Sequence, residues 1–139
     1  MQRQPTPTTV KTPAENFTGD VYLDPVFSGD GKSQLVVGLV RFTPGARTNW
    51  HSHANGQLLR CTDGTGLVAT RDGRAFRMRA GDAVWTPAGE QHWHGGTSET
   101  MMCHYAILDA AGDGEATTWL EPVSDEQYAA AHTAAAATD

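Results

Sequence analysis

Short apolar or alternating segments recur along most of the chain, and turns containing glycine separate them. Alternation places successive side chains on opposite faces of a strand, so each segment reads as one strand with a buried face. Many short strands with glycine-rich turns at even spacing predict an all-β sandwich or barrel. The segments cover residues 21–23, 34–42, 57–61, 67–70, 75–79, 83–86 and 101–108.

The two ends of the chain have a different pattern. Residues 1–14 are rich in proline and threonine and show no periodicity, which predicts a flexible tail ahead of a barrel over residues 15–123. Ser124, followed three residues later by Gln127, has the form of a capping box. The alanine-rich stretch after it favours a helix, so residues 124–139 are expected to form a short C-terminal helix that frays from Ala134 onward.

Composition limits the class of protein and its partners. The chain has 139 residues, of which 39% are hydrophobic, and this suits one globular domain. It has no run of about 18 apolar residues and no apolar stretch behind its N-terminal charge, so we expect a cytoplasmic protein without a membrane partner. Cys61 and Cys103 lie in apolar, strand-like contexts and are expected to be buried, reduced thiols, although the sequence leaves a disulfide open.

A net charge of −6 disfavours nucleic acid as a partner. The one candidate basic patch consists of Arg71, Arg74, Arg77 and Arg79. Asp72 interrupts it, and the alternation of Arg77 and Arg79 is typical of the solvent face of a strand. We therefore expect a small-molecule substrate and no nucleic acid.

Histidines supply the candidate chemistry, since five of the six lie between residues 51 and 104. His51 and His53 are two apart, so on a strand both face the same side. The Asn55-Gly56 turn brings the chain back, which lets Gln57 point its amide oxygen at the same region, and His92 can project into the same interior if the barrel is closed. Three imidazoles and one oxygen suit Mn²⁺, Fe²⁺, Co²⁺, Ni²⁺ or Zn²⁺, whereas the alternative is a polar strand face without metal.

Two motifs resemble those of the cupin superfamily, and the resemblance implies a single jelly-roll-like barrel. The first motif comprises Gly45, His51-Ser52-His53, Gln57 and Gly64. The second comprises Gly81, Pro87-Ala88-Gly89, His92 and Gly96. Gln57 stands where the family usually has glutamate, which removes one negative charge from the site. Gly96 stands where it usually has asparagine.

A closer resemblance spans roughly residues 15 to 128 and includes residues 44–53, 81–85 and 87–95. These stretches are similar to small bacterial cupins that include manganese-dependent hydroxynitrile lyases. That group also carries glutamine as a ligand, so the resemblance implies one divalent metal ion, first of all Mn²⁺, held by His51, His53, Gln57 and His92. It further implies a homodimer or a higher homo-oligomer.

Several residues near these ligands are candidates for further roles. His94 shares a face with His92 on an extended strand, and we expect it to shuttle a proton or to hydrogen-bond a ligand, with coordination as the alternative. The resemblance implies that His104 faces the pocket as a general base or a donor to the leaving group; the alternative is a core histidine. Arg47 is expected to pair with an acid such as Glu90, with binding of an anionic substrate group as the alternative, and Asn49 is expected to lie at a turn or rim.

The expected function is that of a metal-dependent lyase on a small substrate, similar to hydroxynitrile lyases. The metal would act as a Lewis acid while His104 or His94 moves the proton. Three alternatives remain: a dioxygenase using iron or manganese, a polyketide-type cyclase or isomerase, and a non-catalytic cupin that binds a metal or a ligand. A requirement for dioxygen separates the first alternative from the others.

Overall fold

A computed structural model describes all 139 residues and contains twelve strands and one helix. The first strands are β1 (Val10–Lys11), β2 (Phe17–Thr18), β3 (Val21–Ser28), β4 (Leu35–Phe42), β5 (Arg47–Thr48) and β6 (His51–His53). They are followed by β7 (Gln57–Thr70), β8 (Ala75–Arg79), β9 (Ala83–Thr86), β10 (His92–Gly96), β11 (Met102–Asp109), β12 (Thr117–Trp119) and the helix α1 (Asp125–Thr138).

The strands form two antiparallel sheets that share the long strand β7. In the first sheet the order is β1-β3-β4-β11-β7-β9, where β9 pairs with residues 57–60. In the second, residues 65–70 of β7 lie between β8 and β10, and β10 continues to β5, β2, β6 and β12. The predicted all-β barrel with a short C-terminal helix is therefore confirmed.

Two hydrophobic clusters stabilise this arrangement. One lies between the sheets and includes Val21, Phe42 and Leu59, which are at most 1% exposed. The other lies between the second sheet and α1, where Trp93 packs against Tyr128 at a ring distance of 5.5 Å. Cys61 and Cys103 are both buried and form no disulfide, as predicted.

The C-terminal helix begins as predicted but does not fray. The Ser124 side chain accepts from the Gln127 amide, and the Gln127 side chain accepts from the Ser124 amide, which is the predicted capping box. Ala135 is fully buried against the second sheet. Asp139 pairs with Arg77 and Arg79, so the end of the chain is held by contacts that alanine content alone cannot reveal.

The predicted flexible tail is wrong for its last residues. Val10 and Lys11 pair with Leu23 and Tyr22 of β3, and the Thr12 amide donates to the Val21 carbonyl. A strand of two residues is too short to show alternation, so the pairing comes from the free edge of β3 rather than from a local pattern.

Glycines at two positions shape the interior. A Cβ on Gly38 would lie 2.7 Å from Leu23 Cδ1, so Leu23 fills the space that the missing side chain leaves, and β3 bulges between Pro25 and Phe27 opposite it. A Cβ on Gly96 would lie within 3.0 Å of two carbonyl oxygens, which explains why no asparagine occupies this position.

The arginines of the candidate basic patch are all paired with acids. Arg74 contacts Asp72 and Glu90, while Arg71 contacts Glu121. With the Asp139 pairs above, each of the four arginines in this patch has an acidic partner. No helix has the length and apolar character needed to cross a membrane.

Candidate metal centre

Three of the predicted ligands converge between β6 and β10. His51 pairs in register with His92 across these strands, and His53 lies two residues along on the same face. One ligand atom from each of His51, His53 and His92 lies within 4.8 Å of the other two, and all three side chains are buried. This spacing is what a single metal ion needs.

Hydrogen bonds at Nδ1 fix which nitrogen of each ring faces the centre. His51 Nδ1 donates to the Asn49 carbonyl and His92 Nδ1 donates to the Glu90 carbonyl, both at 2.9 Å. His53 Nδ1 shares a hydrogen bond of 3.0 Å with the Thr117 hydroxyl. A carbonyl only accepts, so Nε2 of His51 and His92 must carry a lone pair that is free to coordinate.

Gln57, the fourth predicted ligand, lies beside these imidazoles. Its Oε1 lies 3.3 Å from His92 Nε2, and both atoms are acceptors when His92 Nδ1 carries the proton. Two facing lone pairs repel unless a cation lies between them. His53 Nε2 is also buried and has no hydrogen-bond partner. These orphaned acceptors fit a divalent metal ion.

Burial keeps the imidazoles in the form that binds metal. Desolvation lowers the pKa of His53 to about 4, with the nearby His92 adding to the effect. Desolvation also lowers the pKa of His51 well below its usual value, and it lowers that of His92. All three rings are therefore neutral at pH 7 and present lone pairs without first losing protons.

His94 and His104 form a buried pair beside the three histidines. His94 Nδ1 lies 2.9 Å from His104 Nε2, and the two rings sit at a centroid distance of 4.7 Å. His94 Nε2 and His104 Nδ1 have no partner. Burial lowers the pKa of His104 to about 4 and that of His94 well below its usual value.

A cavity of about 140 Å³ opens onto this group. His94 lines it together with His51, His53 and Gln57, whereas His92 and His104 do not line it, and His104 lies behind His94. The structure thus brings all six predicted site residues together but places His104 one ring further from the cavity than we expected. Three threonines, Thr12, Thr48 and Thr117, also line it, and the other lining side chains are apolar: Phe17, Leu23, Val40, Ala106, Leu108 and Trp119.

Expectations about two neighbouring residues hold only in part. Asn49 lies in the connection between β5 and β6 but not at the rim: it is 3% exposed, and its Nδ2 donates to the carbonyls of Glu15 and Leu120. Arg47 pairs with an acid, as expected, but the partner is Asp125 instead of Glu90, and the guanidinium lies over Tyr128. Arg47 therefore anchors the helix, and it could not be matched to its acid because 78 residues separate them.

Sequence reasoning missed four residues that shape the site. Asn49 and Thr117 orient His51 and His53, while Phe17 and Trp119 cover the cavity. Thr117 and Trp119 lie on a strand of three residues, and no motif marks them. The one feature of the sequence that could have pointed to any of these residues is that Phe17 and Trp119 are aromatic and lie outside the predicted core.

Comparison with known proteins agrees with this architecture. Residues 38–108 match the cupin domain model, which covers half of the chain. The chain is 44% identical over 118 residues to (R)-mandelonitrile lyase of Granulicella tundricola, covering 85% of this chain and 89% of that protein.

Among solved structures, a cupin-like protein from Thermotoga maritima superposes with a TM-score of 0.83 at 32% identity, covering 94% of this chain and 97% of that one. The polyketide cyclase RemF from Streptomyces resistomycificus shares the fold at 17% identity, with a TM-score of 0.71 and coverage of 92% and 90%. With its paired motifs, its barrel and these relatives, the chain belongs to the cupin family.

Proposed function

We propose that this protein is a metal-dependent lyase that cleaves a cyanohydrin into a carbonyl compound and hydrogen cyanide and catalyses the reverse addition. The observation that carries the choice of reaction is the 44% identity with (R)-mandelonitrile lyase over most of both chains. The geometry supports it, because three imidazoles come together as a possible metal site, and His94, whose Nε2 has no hydrogen-bond partner, lines a small cavity together with two of them.

His51, His53, His92 and Gln57 are the proposed ligands of one divalent ion. Mn²⁺ is the first choice because of the resemblance to manganese-dependent lyases, and three imidazoles with one amide oxygen also suit Fe²⁺, Co²⁺, Ni²⁺ and Zn²⁺. When bound, such an ion supplies a Lewis acid for the oxygen of the substrate.

His94 is the proposed acid and base. Cleavage removes the hydroxyl proton, the O–H electron pair forms the carbonyl, the carbon–cyanide bond breaks, and its electron pair leaves with cyanide. His94 Nε2 accepts the proton and returns it to cyanide, because this atom is unpartnered on a residue that lines the cavity. The reaction involves no oxidation or reduction, so dioxygen is not required.

His104 acts through His94 as a positioning residue. Its Nε2 contacts His94 Nδ1 at 2.9 Å, so it sets which nitrogen of His94 carries the proton at rest. It also shares the positive charge when His94 is protonated. Phe42 packs against both rings, at centroid distances of 5.7 and 5.4 Å, and holds the pair in place.

The test is cleavage of (R)-mandelonitrile by Mn²⁺-loaded protein, followed as benzaldehyde absorbance in air and under nitrogen. We expect equal rates in both, and loss of activity in His94→Ala by about 10²–10⁴-fold with metal content retained. His104→Gln should retain more turnover than His104→Ala, because an amide can still bond His94 Nδ1. His132→Ala, on the helix, is the matched control.

Activity that appears only in air would replace this proposal with an oxidative reaction. Absence of benzaldehyde release from fully loaded wild-type protein would refute the lyase assignment.

A further inference from the structure

Two chemically different groups of side chains line the cavity beside the proposed metal centre. His51, His53, Gln57 and His94 are polar, and Thr12, Thr48 and Thr117 add three hydroxyls. The other six lining residues are apolar, and two of them, Phe17 and Trp119, are aromatic. A ligand that fits can therefore place an oxygen-bearing carbon against the imidazoles and an apolar group against the aromatic rings.

Phe17 and Trp119 form a continuous aromatic surface that reaches a proposed metal ligand. Their ring centroids are 5.3 Å apart with an interplanar angle of 56°. The Trp119 ring lies 4.8 Å from the His51 ring at 36°. Both rings are held by backbone pairing, Phe17 opposite Thr48 and Trp119 opposite His51, so their positions follow those of the metal-binding strands.

Neither ring behaves as an ordinary core residue. Trp119 is 37% exposed although it lies against buried histidines, and Phe17 is only half-buried. Part of each ring is thus left for another group to cover. The cavity of about 140 Å³ is close to the volume of about 150 Å³ at which an apolar protein cavity accepts a benzene ring.

We propose that Phe17 and Trp119 are specificity-determining residues that select substrates with an aryl group on the oxygen-bearing carbon. The ring of the substrate packs against this pair while its oxygen faces the imidazoles. Tilted aromatic pairs gain affinity beyond simple burial, so an aryl group is favoured over an alkyl group of similar reach. For the reaction, though not for binding, this inference rests on the proposed lyase function.

The first test compares two substrates in the variants Phe17→Leu and Trp119→Leu, which keep apolar volume but remove a ring. We expect kcat/KM for mandelonitrile to fall by about 2- to 10-fold in each, with little change for acetone cyanohydrin, because each aromatic pair contributes that factor. Phe76→Leu is the matched control, since Phe76 is exposed on β8 and outside the cavity.

The second test measures binding and does not depend on turnover. Calorimetry with the metal-loaded protein should show that benzyl alcohol binds more tightly than propan-2-ol, and that the preference shrinks in Phe17→Leu and Trp119→Leu but not in Phe76→Leu. Circular dichroism verifies that each variant folds.

The outcomes separate the two proposals. A preference for benzyl alcohol that depends on the two rings, without cyanohydrin cleavage, would support the aromatic wall and refute the lyase. Equal losses for both substrates, or no preference for benzyl alcohol in the wild type, would overturn the aromatic wall while leaving lyase activity to stand by its own assay.

Discussion

The orientation of each ligand imidazole depends on one hydrogen bond at its Nδ1. For His51 and His92 the acceptor is the carbonyl two residues earlier, on Asn49 and Glu90, so a local turn of the chain sets the ring. For His53 the partner is Thr117, 64 residues away. Two of the ligands are therefore oriented by their own loops, whereas the third depends on β12.

Removing a ligand should reduce metal content in proportion to the donor strength lost. Loss of the hydrogen-bond partner of a metal ligand typically lowers metal affinity by about 10- to 100-fold, and Thr117→Val should fall within that range. His92→Ala should lower the metal affinity further, because it removes a ligand itself. Gln57→Ala should be milder than His92→Ala, since a neutral amide is the weakest of the four donors. Elemental analysis of each purified variant, with His132→Ala as control, measures this.

Full metal occupancy in His92→Ala would contradict the assignment of the site. A loss in His132→Ala equal to that in His92→Ala would show that the metal is sensitive to general destabilisation rather than to the ligand.

The buried His104 should make the protein sensitive to acid. Burial lowers its pKa from 6.5 to about 4, so the unfolded chain gains a proton at a higher pH than the folded one does. The stability that the neutral ring provides is complete above pH 6.5 and is lost as the pH falls toward 4, amounting to about 2–3 kcal/mol. Guanidinium unfolding of chelator-treated protein at pH 7 and 4.5 measures the change.

The comparison protein for this experiment is His104→Gln, which has no titrating group at that position. Its stability should fall less than that of the wild type between the two pH values. Parallel losses in both proteins would remove His104 as a source of the acid sensitivity.

Much of the site could be predicted at this scale, because ligand types at fixed spacing leave a mark in the sequence. His51, His53, Gln57 and His92 all come together as expected. The position of His104 behind His94 could not be predicted, since alternation gives the face of a strand but not which of two inward rings lies nearer the cavity.

Among the elements, α1 is the one whose limits were best marked in the sequence. Its capping box lies within four residues, so sequence alone shows it. Residues far away in the sequence hold the helix against the barrel. Arg47 pairs with Asp125, and the Trp50 indole donates to Gln127 Oε1 at 3.2 Å. The predicted segments omit five strands of at most three residues, which carry no period: β1, β2, β5, β6 and β12. They also omit β10, which is five residues long and ends in two glycines.

Loss of the cap should destabilise the fold without touching the site. Ser124→Ala removes the acceptor for the Gln127 amide and should lower the free energy of unfolding by about 1 kcal/mol. Denaturant unfolding measures this, with the exposed mid-helix Thr133→Ala as control. Unchanged stability in Ser124→Ala, or an equal loss in Thr133→Ala, would contradict a role for the capping box.

At the scale of the whole molecule, no other element covers the outer face of the first sheet. Because side chains alternate along each strand, six apolar side chains point outward from this face: Val37, Leu39, Leu58, Trp85, Tyr105 and Ile107. Trp85 is 58% exposed. Of the two regions that we expected to offer apolar surface, Val21 itself is fully buried, whereas Trp119 is 37% exposed but packs against His51.

We propose that a second copy of the chain covers this outer face. Four neighbouring strands contribute to it, and monomers rarely expose contiguous apolar patches beyond a few hundred Å². One row across the sheet runs from Asp24, which is paired with Arg41, through Leu39 and Tyr105 to Arg60. A two-fold axis parallel to the strands places this row against its own copy, so that the apolar centre of one chain meets that of its partner.

The chain should therefore behave as a homodimer in solution, and its assembly should depend on this face. Light scattering at micromolar concentration is expected to give a mass of twice 14.9 kDa. Ile107→Glu places a charge in the apolar face, between Val37 and Leu58, and should yield a single chain, because burying an unpaired carboxylate opposes association. Phe76→Glu, exposed on the other sheet, should remain dimeric. A wild-type mass of one chain would refute the dimer. Dissociation of Phe76→Glu but not of Ile107→Glu would show that the contact lies elsewhere.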